Sequence, residues 1–101
     1  MNVPDWILQG VSDVIAKFTP SSGERRFTVS QDTVVAACMV HAPEGTTRAD
    51  AFKNKWFDIE RDPRLKERGW IVEFSKGYAF TDTESEFHCR EASRPRGAKA
   101  P

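Results

Sequence analysis

The sequence has no excess of charge of either sign, few cysteines and no long apolar run. Fifteen Lys and Arg residues balance fifteen Asp and Glu residues, which leaves only a local basic footprint for a nucleic acid. Two cysteines are too few for a disulfide framework, and we expect both to be reduced. No apolar run approaches the roughly 20 residues of a membrane helix, and the N-terminal residues lack a basic segment. The sequence therefore predicts a cytoplasmic protein with no membrane contact.

Motifs of catalysis and metal binding are also missing from the sequence. No nucleophile motif, phosphate-binding loop, GxGxxG or HExxH sequence occurs, so we expect a non-enzyme without a cofactor. Cys38, His41, His88 and Cys89 have the residue types of a structural zinc site. Neither pair reproduces the spacing of a zinc finger, and the adjacent His88 and Cys89 point to opposite faces of an extended segment. The prediction is that no metal is bound.

The length of 101 residues suits one domain. We place a single globular domain at residues 1–89 and a tail at 90–101. The tail is rich in Pro, Gly and Ala and carries Arg90, Arg94, Arg96 and Lys99 against Glu91 alone. This composition predicts a disordered basic tail, which either binds phosphates or keeps the chain in solution.

The first half of the chain predicts a helix, a strand and a second helix. Apolar residues at helical spacing predict a helix over 3–18, and alternation predicts a short strand over 24–29. For residues 33–40 we favour a helix with Ser30 as its N-cap and Asp32 in its first turn. The valines in this run also suit a strand, and that alternative stays open.

The second half predicts a long helix followed by a hairpin. Thr47 and Asp50 resemble a capping box at the start of a helix over 47–61. A further helical turn follows Pro63, with Gly69 as a left-handed C-cap. Residues 70–74 and 78–82 are expected to pair as an antiparallel hairpin around a Lys-Gly turn.

These elements predict an α+β fold with three main helices, a short strand and a C-terminal β-hairpin. We expect twelve apolar side chains to form the core. They are Ile7, Val11, Ile15, Phe18, Phe27, Val35, Met39, Phe52, Trp56, Ile59, Trp70 and Val72.

The order helix, strand, helix, helix, strand, strand resembles a winged helix, a helix-turn-helix variant with a hairpin wing. The stretch GWIV at 69–72, followed by GYAFT at 77–81, is similar to the segment that leaves the recognition helix and returns through the wing. The resemblance covers about residues 4–83 by element order, and only the hairpin carries a motif. It implies a DNA-binding fold.

The same hairpin also resembles part of the RNA-recognition motif. Residues 76–80, KGYAF, match the first five positions of its RNP1 pattern. Thr81 and Thr83 then depart from the pattern, and the chain leaves little room for the second helix and fourth strand of that family. We therefore favour the winged helix.

The winged-helix resemblance implies a set of nucleic-acid contacts. On the helix over 47–61, Arg and Asn would read bases and Lys would contact phosphates, with one Lys at the wing tip. The predicted contact residues are Arg48, Lys53, Asn54, Lys55, Lys76, Arg94 and Arg96.

Two functions follow from this interpretation. The first is a small DNA-binding regulator or accessory factor whose partner is duplex DNA. The second is a protein-interaction module that binds or inhibits a partner protein without contacting nucleic acid, and a homodimer stays open. A positive stripe over 47–61 and the hairpin would favour DNA, and a mixed patch with exposed aromatics would favour a protein.

Overall fold

A computed structural model describes residues 3–52, 56–75 and 86–92 as a mixed helix and sheet structure. The helices are α1 (Asp5–Phe18), α2 (Gln31–Met39), α3 (Arg48–Phe52), α4 (Trp56–Glu60) and α5 (Pro63–Glu67). The strands are β1 (Arg26–Ser30), β2 (Trp70–Phe74) and β3 (Glu86–Glu91). The α+β fold class is confirmed. None of the described helices has the length and apolar character needed to cross a membrane.

The three strands form one antiparallel sheet with β3 in the centre, in the order β1-β3-β2. Residues 70–74 therefore pair with 86–91, whereas we had expected them to pair with 78–82. The partner predicted from the Lys-Gly turn lies outside the described residues. The observed register places Phe74 opposite Phe87 and Val72 opposite Cys89, all four of them buried. Burial of these side chains on one face sets the register.

The sheet continues past the predicted start of the tail. Arg90 and Glu91 belong to β3, and the backbone N–H of Ala92 donates to the carbonyl of Gly69 at 2.8 Å. Residues 90–92 therefore belong with the sheet and not with the predicted tail, and residues 93–101 lie outside the described residues. Side chains of a strand point alternately to its two faces. The exposed, charged residues at the end of β3 therefore resemble the start of a polar tail in the sequence.

The local helix signals are confirmed. Ser30 caps α2, because its hydroxyl accepts a hydrogen bond from the backbone N–H of Thr33 at 3.2 Å, and the strand alternative for 33–40 is excluded. The hydroxyl of Thr47 accepts from the N–H of Asp50 at 3.1 Å at the start of α3. Gly69 has a φ of 94°, the left-handed conformation predicted for it. The predicted helix over 47–61 is described as α3 and α4, on either side of residues 53–55.

The core lies between the helices and the inner face of the sheet. Eight of the twelve predicted core side chains are buried, and Phe27, Met39 and Trp70 are partly buried against them. Phe18 was predicted wrongly, because it is 36% exposed at the last turn of α1. Buried side chains that the prediction missed include Leu8, Val14, Val34, Cys38, Leu65, Phe74, Phe87 and Cys89.

Candidate interaction surfaces

The structure describes one of the seven predicted nucleic-acid contacts, Arg48. Lys53, Asn54, Lys55, Lys76, Arg94 and Arg96 lie outside the described residues. The guanidinium of Arg48 lies 2.6 Å from a carboxylate oxygen of Asp32, and the Arg48 side chain is 35% exposed. This ion pair ties the start of α3 to the first turn of α2. Contact with a base or a phosphate would require the Arg48 guanidinium to break its ion pair with Asp32 or to bind both groups at once.

The described surface of α3 and α4 is mixed in charge and carries an exposed aromatic ring. Asp50 is exposed, and a carboxylate oxygen of Glu60 accepts a hydrogen bond from the backbone N–H of Phe74 at 2.6 Å. Phe57 is 48% exposed, and the guanidinium carbon of Arg61 lies 4.4 Å from the centre of its ring. We call Phe57 and Arg61 the α4 patch.

Acidic and basic side chains are mixed on the described surface of α3 and α4. The whole chain has fifteen Lys and Arg residues and fifteen Asp and Glu residues, and six of the basic residues lie outside the described ranges. A surface that tracks phosphates needs clustered positive charge. The described surface of α3 and α4 lacks such a cluster, because Asp50, Asp58 and Glu60 accompany Arg48 and Arg61.

The outer face of the sheet forms the second surface. Arg26 of β1 lies directly opposite Arg90 of β3, and Arg90 lies opposite Ile71 of β2. In the next row, Nδ1 of His88 lies 3.0 Å from the hydroxyl of Thr28. These rows line a shallow cavity of about 100 Å³. Two facing arginines make this the most basic feature of the described sheet.

The two cysteines face the interior and are unreactive. The Sγ of Cys38 donates a hydrogen bond to the carbonyl of Ile7 at 3.3 Å, and Cys89 is buried beneath the sheet. Burial raises the pKa of each thiol to about 12, and for Cys38 the nearby Asp13 carboxylate adds to this increase. A thiol with this pKa stays protonated at neutral pH and is a poor nucleophile.

The two histidines are held on separate surfaces. Nε2 of His41 lies 2.6 Å from a carboxylate oxygen of Asp13, whereas His88 lies on the outer face of the sheet. Within the described ranges, no three His, Cys, Asp or Glu side chains are placed to hold a metal ion. His41 and His88 therefore do not form a joint site with the cysteines.

A polar cluster fixes the start of α5. Asp62 is 8% exposed, and its carboxylate accepts hydrogen bonds from the backbone N–H and the guanidinium of Arg64. The same guanidinium donates to the carboxylate of Asp5 at 2.8 Å and to the carbonyl of Val3 at 2.7 Å. Hydrogen bonds from Arg64 lower the pKa of Asp62 below its usual value. The cluster joins the start of α1 to the start of α5.

Replacement of Asp62 by Asn tests this cluster through pH. At pH 7 we expect the variant to be less stable than the wild type, because it keeps a capping oxygen but loses the charge that Arg64 binds. The Asp62 pKa is lowered in the folded state, so its contribution is complete above the unfolded pKa of about 3.9 and disappears as the pH falls through the folded pKa. Urea unfolding at pH 7, 5 and 3 should show that the difference in free energy of unfolding between wild type and Asp62→Asn becomes smaller as the pH falls. A difference that grows in acid contradicts the assignment.

Sequence reasoning missed the α4 patch and the basic rows of the sheet. Phe57 lies beside the apolar stripe of its helix and not on it. An aromatic residue outside the stripe could have been predicted to be exposed. For β3, the alternation of Phe87 and Cys89 with His88 and Arg90 was the available signal. Comparison of the chain with protein-family models, with curated proteins and with solved structures found no match.

Proposed function

We propose that this chain is a winged-helix-like α+β domain that acts by binding a partner protein, and that it catalyses no reaction. The α4 patch carries this proposal. Aromatic and arginine side chains dominate the energetics of protein interfaces. Phe57 presents about half of its side chain to solvent, and the Arg61 guanidinium above it supplies planar donors for a partner.

The neighbouring charges also support a protein partner. Asp50 and Asp58 repel a phosphate backbone, and the Arg48 guanidinium is engaged by Asp32. Carboxylates on the helix that carries an exposed aromatic ring instead favour a protein with complementary charge.

Duplex DNA is the second candidate. The order of one helix, one strand, the helices α2 to α5 and two strands supports it, together with the antiparallel pairing of β2 with β3. The basic side chains that would contact DNA under this proposal are Arg48, Lys53, Lys55, Lys76, Arg94 and Arg96. Their binding would fall steeply with salt.

Substitution of Phe57 by Ser tests the first candidate. The purified domain, immobilised, is used to isolate a protein from extracts of its native cells, and the affinity of that purified protein is then measured by calorimetry. We expect the variant to weaken binding on the order of tenfold or more, the usual effect at an aromatic hot spot. The exposed substitution Glu67→Ser on α5 is the matched control and should change nothing. Equal affinity of wild type and Phe57→Ser contradicts the proposal.

A parallel titration with duplex DNA separates the two candidates. We expect no saturable binding at 50 mM salt by fluorescence anisotropy. Salt-dependent binding that loses about one unit of slope with each of Lys55→Ala and Lys76→Ala, and loses sequence preference with Arg48→Ala, would establish the DNA function instead.

A further inference from the structure

Within the described sheet, β1 has a neighbouring strand on one side only. β1 lies at the end of the sheet order β1-β3-β2, and the N–H of Glu91 donates to the carbonyl of Arg25 at 3.0 Å. Hydrogen-bonded and non-hydrogen-bonded residue pairs alternate along two antiparallel strands. The backbone N–H and C=O groups of Phe27 and Val29 therefore also point toward β3, and those of Arg26 and Thr28 point away from it. Outside the pairing of β1 with β3, no backbone group of the described residues bonds to these four groups. The edge therefore presents the hydrogen-bonding pattern that an added strand requires.

The inner side of this edge is apolar and incompletely covered. Phe27 and Val29 are only partly buried, although both pack against the core. Phe18 is 36% exposed, and its ring centre lies 6.0 Å from that of Phe27. A strand beside β1 would cover these three side chains with every second side chain of its own.

The outer side of the edge is basic at one end, whereas at the other end Ser30 lies opposite Glu86, whose carboxylate is 3.5 Å from His88. Arg26 and Arg90 lie directly opposite one another, and like charges in that position destabilise a sheet. Arg26 also contacts Glu24 at 3.3 Å, but both of these side chains are largely exposed, so the contact is weak. An added strand would place its outward side chains beside Arg26 and Thr28. Carboxylates there would offset the repulsion between the two arginines.

We propose that the β1 edge binds an extended segment of a partner protein in which acidic and apolar side chains alternate, and that this segment becomes a fourth strand of the sheet. The assignment rests on the proposed function in taking the partner to be a protein. Main-chain hydrogen bonds to Arg26 and Thr28 supply part of the affinity, and the two faces of the segment supply specificity. The edge is distinct from the α4 patch.

A synthetic nine-residue peptide of alternating Glu and Val tests this inference. Backbone amide NMR of the full chain should show the largest shifts, and new protection from hydrogen exchange, at the amides of Arg26 and Thr28. A peptide with Lys in place of Glu, and one with the Glu and Val residues grouped in two blocks, should bind at least about tenfold more weakly. Equal binding of all three peptides, or shifts confined to the β2 edge, overturns the proposal.

Two substitutions separate the charge from the backbone contribution. Arg26→Glu should weaken the Glu peptide on the order of tenfold and strengthen the Lys peptide, whereas the control Lys66→Glu on α5 should alter neither. Thr28→Pro removes one outward N–H, which edge strands tolerate, and should weaken binding of every strand-forming peptide. If Arg26→Glu leaves the preference for Glu over Lys unchanged, the charge assignment is wrong.

The same measurements distinguish the failure of this inference from that of the proposed function. Doubling of the molecular mass without peptide, with protection of the same amides, would identify a second copy of the chain as the occupant and overturn the inference. A partner that depends on Phe57 but leaves the β1 amides unchanged overturns the edge assignment alone. DNA binding without any protein partner overturns the proposed function, and the peptide titration still decides whether the edge accepts a strand.

Discussion

Replacement of Trp56 by Ala is expected to lower the free energy of unfolding by about 3–5 kcal/mol, the usual effect of emptying a large aromatic site. Trp56 is fully buried at the start of α4. Its ring stacks on Phe52 at a centroid distance of 4.9 Å and contacts Phe74 at 4.7 Å. The side chain thus joins α3 and α4 to β2, and its loss leaves a cavity at the point where the helices meet the sheet.

Urea unfolding followed by far-UV circular dichroism gives the measurement, and Trp56→Phe is the matched control. Nε1 of Trp56 is buried and has no hydrogen-bond partner in the described part of the chain. Phenylalanine removes this donor and keeps the ring contact, so it should cost clearly less than alanine. A loss below about 1 kcal/mol for Trp56→Ala would show that the site collapses around the missing ring or that Trp56 is not buried.

The sequence predicted those parts of the fold that depend on neighbouring residues. Helix stripes repeat within three or four residues, and a cap acts within the first turn, so Ser30, Thr47 and Gly69 could be assigned without knowledge of the tertiary structure. The α+β class followed from the order of these elements. Helix phase also placed Phe52, Trp56 and Ile59 correctly in the core.

The central strand could not be assigned in the same way. β3 pairs with β1 across about 60 residues, for example Thr28 with His88, and no local signal specifies that contact. The Lys-Gly pair at 76 and 77 is a strong turn signal, and residues 78–82 were therefore predicted as the partner strand of β2. Phe87 and Cys89 are buried, so the pairing of β3 depends on the core side chains that its inner face covers.

The interaction surfaces were predictable only in part for a similar reason. Arg48 was recognised as a basic residue near a helix N-terminus, but its ion pair with Asp32 depends on how α2 and α3 approach each other. The facing of Arg26 and Arg90 likewise requires the sheet register. Charge counts along a helix therefore overestimate the number of cations that are available to a ligand.

Replacement of Gly10 by Ala is expected to destabilise the protein, although alanine is the better helix former by about 1 kcal/mol. Gly10 lies in the middle of α1 and is buried against α2. A Cβ atom added there would lie 2.4 Å from the Cα of Cys38 and 2.5 Å from its Sγ. Because the nearest atom belongs to the backbone, the two helices must separate, and overpacking of this kind costs about 1–3 kcal/mol or more.

Two further variants isolate this contact in the same unfolding experiment. Ala16→Gly, at an exposed position of α1, should lower the free energy of unfolding by about 1 kcal/mol. Helix propensity alone predicts that Gly10→Ala and Ala16→Gly have opposite effects. We expect both to destabilise the protein. Cys38→Ala removes the Sγ but not the Cα, and it should relieve Gly10→Ala only in part. An increase in stability for Gly10→Ala would mean that α1 and α2 pack farther apart than the structure shows, because only a wider gap leaves room for the methyl group.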